Sequence, residues 1–361
     1  MIEAFFTNDA LWLERWDYYL QETERGLYNQ LSDWIQSYKV FGFESSVYLL
    51  TKQGTIIGGC GVVVAKFSKF KFLVVPCGPV IEAAYENELD RVITDLKKYA
   101  IKSECCYFQI NVPFVTNGGQ FHDYTLNHLN SKSLFFSAQE GTKFKHVIPL
   151  FGMRLVDLHQ KTLEEVIQKF SSNHKRNLKK AEKYPFEFRF VTSEEEVEKA
   201  YECFILNAQQ KGYPIRSYDS MKHTLMHYLS KDYAKIGCCF YEGEIVGAIY
   251  VIRCGMRLIY INGGVLKPYQ DLPISVYMHL EIIKYSLQLN YKSYDVSVGG
   301  SDGVVRFKEG FGSELYTFEN SRYWVLKPFY FKMYLFFEKR LKKHKQTIAK
   351  VLLFVKKSKF K

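Results

Sequence analysis

No run of eighteen apolar residues occurs in the sequence, and no two cysteines stand in a C-x-x-C pair. The first absence excludes a membrane-spanning helix, and the second removes the usual signature of a redox dithiol or a thiolate zinc site. The N-terminal MIEAFFTNDA lacks both the basic start and the apolar core of a signal peptide, so the chain is expected to stay in the cytoplasm. Its eight cysteines, at 60, 77, 105, 106, 203, 238, 239 and 254, sit mostly within apolar strand-like runs, which predicts reduced, buried thiols. The nine histidines are scattered. His223 and His227 are one helical turn apart but have neither an intervening glutamate nor a third ligand, so no metal is expected. No pairing of nucleophile and base stands out of the kind that forms covalent intermediates.

Aromatic and apolar residues are plentiful: 27 Tyr and 29 Phe within a hydrophobic content of 47%, enough for two ordinary cores in 361 residues. Excess positive charge is confined to one end. Residues 322–361 carry thirteen Lys or Arg against the single acid Glu338, whereas the rest of the chain is nearly neutral and the whole nets +11. The tail interleaves its cations with bulky apolar side chains. That pattern suits an interfacial helix over 330–361 drawn to an anionic membrane surface, a helix packed on the body with a solvated basic end, or contact with RNA phosphates.

Hydrophobic periodicity divides the body into two similar α/β units. Residues 9–40 read as helix, 46–51, 56–66 and 70–75 as a strand meander with turns at Gln53-Gly54 and near Ser68-Lys69, 84–102 as a helix and 105–112 as a strand. The order then recurs. A strand at 186–191 precedes a helix opened by Ser193 and Glu196, a helix over 218–230, strands at 235–241, 245–253 and 257–262, and a helix opened by Pro273. Setting GTIIGGCGVVV beside GEIVGAIYVIR, FLVVPCGPV beside LIYINGGVL, and YFQINV beside YDVSV holds the offset between 186 and 189, the mark of an internal repeat. The expected organisation is a first unit over 1–150, a second over 151–325 that carries the site, and a basic helical tail over 326–361.

The second unit ends in YKSYDVSVGGSDGVVRFKEGFGSE, residues 291–314. Residues 293–298 alternate as a half-buried strand, with Asp295 and Ser297 on the face opposite Tyr294, Val296 and Val298. Gly299 and Gly300 then let backbone approach a ligand closely. If the continuation is extended, Arg306 and Lys308 share one face while Phe307 and Phe311 hold the other in the core, which makes an anion-binding crevice. The competing reading is a tight turn with surface charges. A second basic stretch, residues 162–183, opens on a Thr162 and Glu165 capping box and ends loaded with Lys175, Arg176, Lys179, Lys180 and Lys183. Those cations either complement a helix C-terminus or wall a phosphate site.

Taken together, NHKRNLKKAEK, the YINGG strand, the proline-opened helix, YDVSVGG and above all RFKEGFG resemble the Fem-type peptidoglycan-bridge aminoacyltransferases, with LSDWIQSYKVFG and PCGPV similar to pieces of their first domain. The resemblance spans nearly all of residues 5–330. It implies a mixed α/β fold of two tandem GNAT-like domains, the first serving as scaffold or acceptor-binding half. It further implies acyl transfer, from aminoacyl-tRNA in the best-known members, to an amine of a lipid-linked or nucleotide-linked cell-wall precursor at the inner face of the membrane. For Lys308 of RFKEGFG it implies contact with the acceptor's phosphate. Lys39 of WIQSYK and Arg216 of PIRSY match basic groups of the same pocket, and Tyr260 of YINGG matches a tyrosine lining it. Arg306, Gly299, Gly300, Lys175 and Arg176 complete the candidate binding set.

Two departures bear on the donor. The long helical arm of some Fem proteins is missing after the basic stretch, where Pro185 and a strand follow at once, and GGVLKPYQDLP offers no glycine-rich loop for the pyrophosphate of a coenzyme A. Aminoacyl-tRNA and acyl-CoA therefore both stay open as co-substrates, and no bound cofactor is expected. The expected chemistry is direct attack by the acceptor amine, with Asp295 or a substrate phosphate taking the proton and Lys308 as electrostatic anchor. The alternatives are acylation of an amino sugar in capsule or exopolysaccharide synthesis, and a non-catalytic RNA- or membrane-binding protein that keeps the fold.

Overall fold

The computed structural model describes residues 1–111, 133–147 and 150–343. The first part of the chain forms β1 (Ile2–Thr7), α1 (Ala10–Glu22), α2 (Ser32–Gln36), β2 (Glu44–Lys52), β3 (Thr55–Phe67), β4 (Phe70–Val75), β5 (Val80–Ile81), α3 (Leu89–Lys102), β6 (Tyr107–Ile110), α4 (Leu134–Ser137) and β7 (Gln139–Glu140). The second forms β8 (Gly152–Asp157), α5 (Leu163–Gln168), α6 (Ser172–Ala181), β9 (Glu187–Val191), α7 (Glu194–Lys211), α8 (Tyr218–Ser230), β10 (Ala234–Tyr241), β11 (Glu244–Cys254), β12 (Arg257–Val265), α9 (Ile274–Gln288), β13 (Ser293–Asp295), α10 (Asp302–Glu309), β14 (Glu314–Thr317), β15 (Arg322–Val325) and α11 (Pro328–Lys343).

Two sheets result. One has the order β1-β2-β3-β4-β6-β15-β7 with β5 on β3, and the other β14-β8-β13-β12-β11-β10-β9. Each is antiparallel except for one central parallel pair, β4 with β6 and β12 with β13. Each pair is joined through a helix, α3 or α9, as parallel strands require. The aligned repeats of the sequence are thus β3 with β11, β4 with β12 and β6 with β13. The sheets do not divide the chain at one point. Arg322–Val325, placed in the second unit by the sequence, pairs with β6 of the first sheet.

The units are knit together at the end of α1. That helix leaves carbonyls without intrahelical partners, and the β11–β12 turn supplies donors: Gly255 N to Leu20 O at 3.0 Å and Met256 N to Gln21 O at 3.1 Å. Arg257, buried at the start of β12, donates to Glu24 O at 3.0 Å and Gly26 O at 2.9 Å. Here the expected single helix over 9–40 is corrected: Thr23 caps α1, 3-10 turns flank α2, and carbonyls that would continue the helix point at Arg257. A single apolar cluster then runs across both units, from Trp16, Ile35 and Val47 to Phe204, Leu225 and Tyr250.

Other local corrections have comparable causes. The 162–183 stretch is two helices, because Ser171 caps α6 through His174 N at 3.2 Å and its own N–H reaches Gly310 O at 2.8 Å. The Thr162 and Glu165 capping box is present. All eight cysteines are buried and unpaired. The end of the strand expected at 105–112 and the tail beyond 343 lie outside the described residues. The described part of the tail packs on the body, with Tyr334 4.5 Å from Phe72 and Phe331 4.8 Å from Tyr107 between ring centroids. Among the described residues no helix is long and apolar enough to cross a membrane.

Candidate functional site

β12 and β13 run together for only three residue pairs, ending at Ile259 and Asp295. Beyond them β12 continues on β11 alone through Val265, and the second sheet opens. β13 cannot follow: Ser297, Gly299 and Gly300 all adopt positive φ, at 65°, 83° and 117°, conformations that suit glycine. The chain turns away and enters α10. The expected extension to Val298 is therefore cut short, and the stretch with Arg306 and Lys308 is helical, not extended. A residue spacing of two then places the two cations on different faces. Arg306 is exposed, while Lys308 falls in line with Val304, Phe307 and Phe311 and is only 7% exposed.

The opening holds a cavity of about 300 Å³ between α7, α9 and α10, lined among others by Asn207, Lys211, Tyr260, Ser275, His279 and Lys308. Lys308 Nζ donates to Gly299 O at 3.1 Å and lies 5.8 Å from the Tyr260 ring centroid. Among the described residues it forms no ion pair. Burial lowers its ammonium to about 8, with Arg154 acting in the same direction and Asp295 against it. His279 Nδ1 is 2.8 Å from Tyr294 Oη. Burial first, then the charge of Lys308, pushes this imidazole down to about 3, so it is neutral at physiological pH. His174 reaches the same layer from α6, its ring 5.0 Å from Phe307 and 4.4 Å from Phe311.

Asp295 lies beneath the site and is not part of the cavity wall. Its Oδ1 accepts from Arg154 N at 3.0 Å and Ser297 N at 2.7 Å, and so holds the positive-φ turn. Burial raises its carboxyl, opposed by these two N–H groups, Arg257 and Lys308. The geometry gives Asp295 a way to act on the loop without touching substrate, and a conservative variant separates this from proton transfer. Asp295→Asn keeps an Oδ1 acceptor, and we expect it to retain transfer activity within about tenfold. A loss of a hundredfold or more at unchanged melting temperature would identify the carboxylate as the base.

The remaining candidates divide into two groups. Arg216 bridges the units: its Nη1 donates to Ser37 Oγ at 2.6 Å, and its guanidinium lies 4.7 Å from the Tyr38 ring and 5.4 Å from that of Phe41. The exposed Lys39 belongs to the same 3-10 turn, Ser37–Phe41. Lys175 and Arg176 sit on α6 outside the cavity wall, donating to Gln168 O and Asn173 Oδ1 at 2.7 and 2.8 Å. The sequence reading did not single out Asn207, Lys211, Ser275 or His279. His279 stands within the apolar stripe of α9, where spacing alone reads it as core.

The FemAB family is matched over residues 12–238. The chain belongs to the FemAB family. The acetyltransferase (GNAT) domain is matched over residues 168–309, which covers β12, β13 and α10. The aminoacyltransferase FemA of Staphylococcus aureus is 28% identical over 167 residues, 43% of this chain and 39% of FemA, so this Fem-type chain spans well under half the length of its curated relative. Among solved structures, that of FemX superposes with a TM-score of 0.75 at 13% identity, over 91% of this chain and 99% of FemX. A conserved protein from Bacteroides thetaiotaomicron follows at a TM-score of 0.54 and 12% identity, over 90% of this chain and 99% of its own. The structural likenesses establish a shared fold, and the GNAT match falls on its second unit.

Proposed function

We propose that this Fem-type protein transfers an aminoacyl group from aminoacyl-tRNA to an amine of a phosphate-bearing cell-wall precursor, lipid-linked or nucleotide-linked. The observation that carries the reading is Lys308: a buried ammonium without an ion-pair partner among the described residues, facing a cavity at the split of a GNAT-like sheet. Burying an unpaired charge is costly, so its retention is accounted for by an anion that arrives with the substrate. In this reading Lys308 holds that anion or the charge that develops on the reacting carbonyl. Tyr260 walls the amine's approach, the neutral His279 offers a polar ring without competing charge, and Arg216 with Lys39 extends the positive surface across the unit junction. The first unit supplies part of the acceptor's site.

The likeness to FemA, an aminoacyltransferase, supports transfer of an aminoacyl over an acetyl group. A coenzyme A pyrophosphate needs free N–H groups at a helix start. Before α9, Tyr269, Gln270 and Leu272 donate internally to Leu266, Lys267 and Tyr269, and Pro268 and Pro273 have no N–H to give, whereas the first turn of α9 carries no side-chain cap, so offering both donors decides the assignment. With a nucleotide-linked muropeptide as acceptor and the two donors offered separately, mass spectrometry is expected to detect an aminoacyl mass shift with charged tRNA alone. A product with acyl-CoA alone would reverse the donor assignment, and no product with either would sink the reading. Operation at the inner face of the cytoplasmic membrane, with contact through 330–361, belongs to the same proposal. It is supported by α11, whose Phe331 and Tyr334 are anchored on the body while Phe329 and Phe336 face solvent.

A further inference from the structure

Three segments distant in sequence are linked by a run of aromatic rings, with Phe43 and Tyr334 buried beneath and Phe41, Phe67 and Phe337 exposed at the surface. In the 37–41 turn, Val40 and Phe41 are 55% and 54% exposed. The Phe41 ring lies 6.1 Å from Phe43, and Phe43 lies 6.0 Å from Phe67 at the tip of β3. Phe67 pairs across the hairpin with Phe70. Phe70 is in turn 6.0 Å from Tyr334 and 6.4 Å from Phe337 on α11. Cations edge this run throughout, with Lys39 on the turn, Lys66 and Lys69 on the hairpin, and Lys332, Lys339 and Arg340 on the helix, all exposed.

We propose that the 37–41 turn, the β3–β4 hairpin tip and α11 form one docking surface for an anionic lipid bilayer. Phenylalanine and valine side chains next to long cationic ones match a headgroup boundary, where apolar rings enter the acyl region and lysines reach the phosphates. Nucleic acid is favoured less, because such a surface presents few hydrogen-bonding groups that could meet base edges. The surface is composite, so the tail does not act by itself. It also brings the bilayer to the acceptor side of the protein, since Arg216 lies over the Phe41 ring. That consequence rests on the functional reading given above, whereas the surface itself does not.

The test uses the full chain in flotation with phosphatidylcholine vesicles, with and without phosphatidylglycerol. Wild type is expected to float with the anionic vesicles only. Lys66→Glu with Lys69→Glu, two exposed changes outside the cavity wall, is expected to weaken partitioning about tenfold or more, as judged from the attraction per cation near such a surface. Phe336→Ser is expected to weaken it comparably, with circular dichroism unchanged for both. The hairpin variant should keep transfer to a nucleotide-linked acceptor and lose transfer to a lipid-linked one embedded in vesicles. Undiminished flotation of the hairpin variant overturns the composite surface. So does failure of the wild type to float, or a variant defect confined to RNA binding. Normal flotation without transfer to either acceptor would sink the functional reading and leave the surface standing.

Discussion

Lys308→Met is expected to abolish measurable transfer and, at the same time, to make the protein more stable. The loss follows from the position of the ammonium. It is the buried cation of the cavity, and removing one preorganised charge from a site of this kind costs about 10²–10³ in rate. The gain follows from its titration. An ammonium whose pKa falls from 10.5 unfolded to about 8 folded disfavours the native state wherever it is charged in both. The penalty is fully present below pH 8, declines as pH rises from about 8, and is gone above the unfolded value. At neutral pH its removal should therefore add on the order of 2–3 kcal/mol, read as a rise in melting temperature. In the wild type, apparent acceptor affinity should fall as pH rises through about 8, where the anchor loses its charge. Lys308→Arg should remove that break, because a guanidinium does not titrate there. A Lys308→Met protein that keeps its activity, or that is destabilised, would mean that the ammonium is structural.

Arg257→Ala should produce the largest loss of stability, about 3–5 kcal/mol, measured as a lower urea midpoint at unchanged slope. The side chain is 2% exposed and donates to three carbonyls, Glu24, Gly26 and Gly255. Two of these lie in the segment that leaves α1 and one in the turn before β12, so the guanidinium ties the two units at the point where the chain changes course. Alanine leaves three acceptors, two of them buried, without this donor, and it removes a charge that opposes the upward push of burial on the Asp295 carboxyl. Arg257→Lys should recover only part of the loss, because an ammonium cannot span the same fork of acceptors. A drop below 1 kcal/mol would show that water or a rearranged loop replaces the donor.

The repeated strand pattern, the proline-opened α9, the Thr162 and Glu165 capping box, the Ser193 N-cap and the buried cysteines were legible in the sequence because each depends on residues close together in the chain. Hydrophobic period, cap chemistry and turn residues act over a few positions, and the offset between repeats reports them twice. The motif around Lys308 was legible as well, through its resemblance to a family. Its conformation was not. Val304, Phe307, Lys308 and Phe311 form a helical stripe only if a lysine is accepted at a core position, and local pattern assigns a lysine to solvent. The same bias left His279 inside an apolar helix face, and it made residues 9–40 look continuous when carbonyls after α1 are claimed by Arg257, more than two hundred residues away. The sequence by itself thus determined the repeated strand order, β3, β4 and β6 matched by β11, β12 and β13, and the helix that precedes the last strand of each set. Tertiary structure decided where the second sheet splits, which cation enters the split, and that β15 returns to the first sheet. Those outcomes depend on burial and long-range hydrogen bonds that the chain acquires only once its two halves have packed together.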